Sequence, residues 1–194
     1  MRSRRVPRLS RALTHPWCFE SLLPMKAEEL RSLQAPLKAR YREDPASALG
    51  TLSASATLLT GPQCRLDREG AQRVAGLHPK AGGDGKSACS GDLLLDSLVA
   101  CAGVTLGAVA IAIGVEIRNG KVHAQGDLDF RGTLGVSKDV PVGFSKIRLR
   151  FEVDSDTDQD KLDSLLKLTE RYCVVYQTLA HSAQIECSIG PVTR

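Results

Sequence analysis

Residues 92–113 read DLLLDSLVACAGVTLGAVAIAI, the longest apolar stretch in a chain of 194 residues. From Ser97 to Val115, nineteen consecutive residues carry no charge, enough to raise a membrane span. Against a span, the stretch is rich in Ala, Gly, Ser and Thr, and Asp96 sits within its first turns. A helix apolar on every side is also what the central, buried helix of a globular fold looks like, and the composition favours that reading. Gly114 is placed to end the helix. Gly103 and Gly107 are small enough to let another helix approach closely. Such a helix has more surface to hide than one subunit's short sheet can cover, so an obligate homodimer with an extensive apolar interface is expected.

Upstream of that helix, residues 51–59, 63–67 and 71–77 read as antiparallel strands joined by turns at Gly61-Pro62 and Glu69-Gly70. The glycine-rich run 81–87 (AGGDGKS) invites a phosphate-loop reading that fails on spacing. The required earlier glycine is Lys80, so the run is a plain loop. Downstream, 121–131 alternates with period two, and 145–153 (SKIRLRFEV) does so more sharply. Ile147, Leu149, Phe151 and Val153 share one face, with Lys146, Arg148, Arg150 and Glu152 on the other. A sheet with one wet face follows. Gln159 to Glu170 carries Leu162, Leu165, Leu166 and Leu168 on a helical stripe, and a second apolar helix runs from Cys173 to about Leu179. Residues 183–189 are expected to close the domain as a strand. Strands and helices come in blocks, which is an α+β chain.

The N-terminal part has a different character. Of 26 basic and 22 acidic residues, five and one lie in 1–24, leaving 21 of each in the body. The neutral body implies no phosphate-binding face, and aromatics at 4% argue against a base-stacking platform. Nucleic acid is therefore not an expected partner. Residues 1–24 read as a basic N-terminal extension: a disordered tail, an organelle transit segment, or sequence upstream of a natural start at Met25. Residues 25–46 form an N-terminal helical segment with Leu30, Leu33, Leu37 and Tyr41 on one face and Pro36 placed to kink it. Residues 47–194 make the main domain.

Six cysteines stand at 18, 64, 89, 101, 173 and 187, with no C-x-x-C pair. A structural zinc site and a secreted disulfide scaffold are both disfavoured, and reduced thiols in a cytoplasmic setting are expected. His78, His123 and His181 are isolated, without ligand spacing. The acidic run 154–160 lacks the glycine and terminal glutamate of a calcium loop and reads as a loop with a helix cap. Two thiols differ from the rest in context. Cys173, near a helix start, has amide N–H groups available to lower its pKa. Cys101, midway along the apolar helix, would by itself be an inert core thiol with a raised pKa. Taken alone, each reads as a small core hydrophobe.

The pattern around both changes that reading. The segment 90–101 (SGDLLLDSLVAC), introduced by a Gly-Gly loop, resembles the first-cysteine helix of the OsmC/Ohr family of peroxide-stress proteins, and 168–179 (LTERYCVVYQTL) resembles the second-cysteine helix. The likeness covers roughly 47–189. It implies antiparallel sheets wrapped around long central helices in an intertwined homodimer, with the active site near the subunit interface. It also implies reduction of organic hydroperoxides or hydrogen peroxide. Cys101 would attack the peroxide and become a sulfenic acid, Cys173 would condense with it to a disulfide, and an external thiol or dithiol would reset the pair, with no other cofactor.

The chain departs from the family in two places. Peroxidase members usually carry Pro-Glu where this chain has Ser90-Gly91, the glutamate orienting an arginine over the thiol, and many place proline where Val174 stands. Asp92 and Arg65 are the supporting candidates for those roles, with Arg68 beside Arg65. Asp92 precedes Cys101 by nine helical residues, roughly 13–14 Å. The alternative function is a catalytically weak protein on the same scaffold that binds a hydrophobic small molecule at the dimer interface. A cysteine hydrolase is a third reading, which lacks a suitably spaced histidine.

Overall fold

The computed structural model describes residues 26–49, 56–58, 63–66 and 73–190. The basic extension, 1–24, lies outside them. Helix α1 (Ala27–Glu43) is followed by a 3-10 turn, Pro45–Ala48. Strands β1 (Ala56–Leu58), β2 (Gln63–Leu66) and β3 (Arg73–Gly76) pair antiparallel, and the short β4 (Ala88–Cys89) adds parallel to β3. The long helix α2 (Ser90–Ile113) leads to the hairpin-like pair β5 (Asn119–Leu128) and β6 (Phe144–Asp154), linked through the one-turn helix α3 (Phe130–Thr133). Helices α4 (Gln159–Tyr172) and α5 (Val174–Ala180) complete the α+β order.

The termination of α2 follows from its sequence. Gly114 adopts φ 67°, ψ 42°, the left-handed geometry that costs a residue with Cβ most. Its amide reaches Ile111 O, and Val115 N donates to Ala110 O at 2.8 Å, a Schellman stop. Val115 is thereby folded into the core beside Ala110. The buried residues of α2, Leu98, Ala102, Leu106, Val109 and Ala110, form one stripe at three- and four-residue steps. With Leu165 of α4 and the inner face of β6, this stripe makes the core, flanked by Ile113, Ile117, Phe151, Val153, Leu162 and Leu168. The other sides of α2 stay open: Val104 is 75% exposed. Helix α2 is long and apolar enough to cross a membrane, with mean hydropathy 2.0.

The β5–β6 register sets Val122 against Phe151 and Ala124 against Leu149, so the alternation read from the sequence is the alternation of burial. Arg118 bridges Asp154 and Asp156 at the far end of the pair, and Lys161 Nζ donates to Gly114 O at 3.1 Å, tying the start of α4 to the end of α2. Asp158 caps α4 by accepting Lys161 N at 2.9 Å, which gives the acidic run its capping role.

One expectation needs correction. Residues 183–189 form no strand, and Ile185 and Ile189 are exposed at 85% and 102%. A strand exists only where a neighbouring backbone completes its ladder, and among the described residues none lies beside this segment. Gly103 and Gly107 do not seat a helix within one chain: a Cβ on Gly103 would meet Val122 of β5 at 3.6 Å, and one on Gly107 would meet nothing within 4 Å. The apolar face of α1 is likewise uncovered, with no residue buried and Leu33 61% exposed.

Phe144 wedges its ring between α2 and β5. A Cβ on Gly126 would lie 2.4 Å from that ring and one on Gly91 would lie 3.3 Å from it. Gly126→Ala is therefore expected to overpack this contact and lower stability by about 1–3 kcal/mol in chemical denaturation. An unchanged midpoint would mean that the ring moves aside freely.

Candidate active site

Cys173 is the one residue between α4 and α5, closing the first helix and opening the second. Its backbone is extended (φ −75°, ψ 109°), while its own N–H still bonds Thr169 O and its carbonyl accepts Gln177 N, each at 2.9 Å. The break leaves the first amides of α5 without an acceptor in their own helix. Those of Val174 and Val175 favour the ionised form of Cys101, half-buried on α2. The Cys173 thiol and the Thr105 hydroxyl act on the same sulfur in the same direction. Gln177 Nε2 donates to Glu170 O at 2.8 Å and braces the junction.

These groups divide the two thiols electrostatically. Burial disfavours an ionised Cys101, but the Val175 amide, the Cys173 thiol, the Val174 amide and the Thr105 hydroxyl outweigh it, leaving the Cys101 pKa below the ordinary 9.0. Burial pushes the Cys173 thiol up, and the neighbouring Cys101 sulfur pushes it further, against the opposing Tyr176 and Val175 amides. At 1% exposure Cys173 is almost wholly enclosed. The reading of each cysteine alone is thus reversed. The helix-start amides do favour ionised Cys173, but burial and the Cys101 sulfur outweigh them, while those of Val174 and Val175 also favour ionised Cys101.

Beside the pair, a cleft of about 990 Å³ opens between α2, β6, α4 and α5, bordered by Leu98, Phe144, Ile147, Leu165, Glu170 and Tyr176. Leu98 lies one turn before Cys101 and Tyr176 one turn after Cys173. Its helix side mixes Leu98, Leu106 and Leu165 with Asp163 and Glu170, its strand side carries Arg148 and Lys146, and neither cysteine lines it.

The other candidates sit apart. Asp92 is exposed in the first turn of α2, and none of the groups acting on the Cys101 sulfur comes from that turn. Arg65 is paired in β2 between Thr57 and Val74. Its side chain, and the whole of Arg68, lie outside the described residues. His78 stacks on Phe130, with centroids 4.8 Å apart, and His123 faces Glu152 at 3.5 Å. Both are engaged away from the thiols. Among the described residues no cluster of His, Cys, Asp and Glu could hold a metal ion. Thr105 was missed from sequence. The available signal was a hydroxyl four residues after a cysteine in one helix.

Residues 83–188 match the OsmC-like protein family. That span exceeds half of the chain and contains both cysteines. The protein belongs to this family. Solved structures agree in fold. An OsmC-like protein from Mycoplasma pneumoniae superposes with a TM-score of 0.59 at 19% identity, covering 69% of this chain and 89% of that one. An organic hydroperoxide resistance protein from Elizabethkingia anophelis gives 0.57 at 14%, covering 70% and 91%. A Legionella pneumophila protein described as an organic hydroperoxide resistance protein, OsmC, gives 0.56 at 13%, covering 69% and 92%. No curated protein is similar enough to count as a match.

The division of the thiols is directly measurable. In pH-dependent alkylation resolved by mass spectrometry, Cys101 is expected to react with a midpoint below 9.0 and Cys173 with one above it. Coincident or reversed midpoints would contradict this division.

Proposed function

We propose that this protein is a thiol peroxidase that reduces organic hydroperoxides or hydrogen peroxide through Cys101 and Cys173 in the cytoplasm. What carries this reading is the coupling of the Cys101 and Cys173 thiols across α2 and the α4–α5 junction, with Cys101 the more readily ionised member. The thiolate is the nucleophile. Cys101 attacks the distal peroxide oxygen, the O–O bond breaks, and the alcohol (or water) departs after taking up a proton. Oxidation to the sulfenic acid removes the negative charge that holds Cys173 protonated. Cys173 then gives up its proton and attacks the Cys101 sulfur, water leaves, and a disulfide forms. An external thiol or dithiol supplies two electrons and two protons to reopen it. No further cofactor enters this scheme.

A second reading, a weakly active protein that binds a hydrophobic small molecule, is favoured by one feature. Gly91 stands where peroxidase relatives would carry glutamate, and the Phe144 ring lies against it. Peroxide consumption with added dithiol separates the two readings. Loss of turnover in Cys101→Ser, with irreversible over-oxidation of Cys101 in Cys173→Ser, is the expected outcome. Absence of turnover in the unaltered protein would leave the binding role, and equal oxidation of Cys173 without Cys101 would overturn the assigned roles.

The same reading makes the working unit a homodimer. The supporting observation is apolar surface left uncovered in one chain, including Val104 on α2, Leu33 on α1, and Ile185 and Ile189 near the C-terminus. Solution scattering at micromolar concentration is expected to give twice the 20.9 kDa chain mass. A monodisperse monomer would sink the dimer.

A further inference from the structure

We propose that residues 183–189 of one copy dock as an added strand on the open edge of β6 in a second copy. The proposal rests on the reading of the working unit as a homodimer and names a surface that joins it. Strand β6 pairs with β5 along one side, and among the described residues no strand lies along the other. The cleft of about 990 Å³ is lined by eight consecutive β6 residues, 144–151. Successive side chains of a strand point to opposite faces, so a cavity that meets all of them follows the backbone edge itself. A row of unpaired N–H and C=O groups is a template for another strand. Helices α4 and α5 form the opposite wall of the cleft.

The occupant of such an edge is extended, apolar on one face and complementary in charge on the other. Residues 183–189 (AQIECSI) have that pattern. Ala183, Ile185, Cys187 and Ile189 share one face, which on this edge continues the inner row of Ile147, Leu149 and Phe151. Glu186 then falls on the outer face, beside Lys146, Arg148 and Arg150. Asp127 and Glu152 already balance Arg148 and Arg150, which leaves Lys146 to Glu186. The lengths also agree: at about 3.3 Å per residue the segment spans about 23 Å and the lined part of β6 about 26 Å. In its own chain the segment pairs with no described backbone, and Ile185 and Ile189 are exposed. Helix α5 ends at Ala180 on the rim of the cleft, yet no residue of 183–189 lines it. A second copy offers an identical edge, and one segment given each way closes the pair symmetrically.

The test uses the reduced full chain at a concentration where scattering shows its mass in solution. In hydrogen–deuterium exchange, amides of 183–189 are expected to be protected together with those on the open side of β6. Isotopically light and heavy copies, refolded together, are then treated with a thiol-to-amine cross-linker. Cross-links from Cys187 to Lys146 are expected to join light to heavy peptides. Ile185→Pro and Glu186→Pro each delete one amide. Consecutive strand residues alternate between ladder and solvent, so one of the two removes a bond to β6 whatever the register. That variant is expected to weaken the dimer roughly tenfold in sedimentation equilibrium and to expose 183–189 to exchange. The segment is exposed in its own chain, so neither proline is expected to disturb the subunit fold. Unprotected amides in the unaltered dimer would overturn the proposal. Cross-links confined to like isotopes, or two proline variants with unchanged dimer affinity, would overturn it as well. A monomer would defeat the homodimer and this surface together, whereas a dimer with 183–189 unprotected would defeat only the surface.

Discussion

The site depends on one interruption of a hydrogen-bond ladder. Had α4 continued through Cys173, the amides of Val174 and Val175 would have bonded carbonyls four residues back and been unavailable to any side chain. The break frees them, and α5 packs on α2, where they favour the ionised form of Cys101. The cost is a buried residue with extended backbone between two helices. It is offset by Cys173 keeping both its N–H and its C=O in helical bonds, to Thr169 and from Gln177, and by the brace from Gln177 to Glu170 O.

That arrangement assigns different work to two chemically identical side chains. Cys101 lies where donors converge, so its charged form is favoured despite partial burial. Cys173 lies where burial and the adjacent sulfur both oppose charge. Oxidation of Cys101 removes one of those two oppositions. In the proposed cycle Cys173 would therefore ionise more easily once Cys101 has reacted, an order that suits two steps. Gly91 lies ten residues before Cys101 on α2. At that position the Phe144 ring makes the neighbourhood apolar.

Helix α2 serves two surfaces at once. One stripe, from Leu98 to Ala110, holds the subunit's core, and the Schellman stop at Gly114 folds Val115 into it. The remaining circumference is nearly as apolar and mostly uncovered. Periodicity could not separate these faces, because a helix apolar all round has no moment to orient it. On β6, strict alternation of Ile147, Leu149, Phe151 and Val153 with charged neighbours left no such ambiguity, and burial follows it residue by residue.

Local patterns were therefore legible wherever the cause of the structure was itself local. The end of α2 at Gly114, the wet and dry faces of β6, the capping role of Asp158 and the breadth of the α+β order all follow from residues within a few positions of one another. The two cysteine segments also pointed to the family that the wider match bears out. Residues 183–189 misled because alternation supplies only one partner of a strand. The activation of the thiols misled because burial and the adjacent sulfur outweigh the helix-start amides at Cys173. The sequence by itself determined most of the elements and singled out Cys101 and Cys173 through the segments around them. Only the tertiary structure decided how the two thiols divide, with ionisation favoured at Cys101 and opposed at Cys173, because that depends on how deeply each sulfur is buried and which groups approach it, and both are set by the packing of α5 against α2.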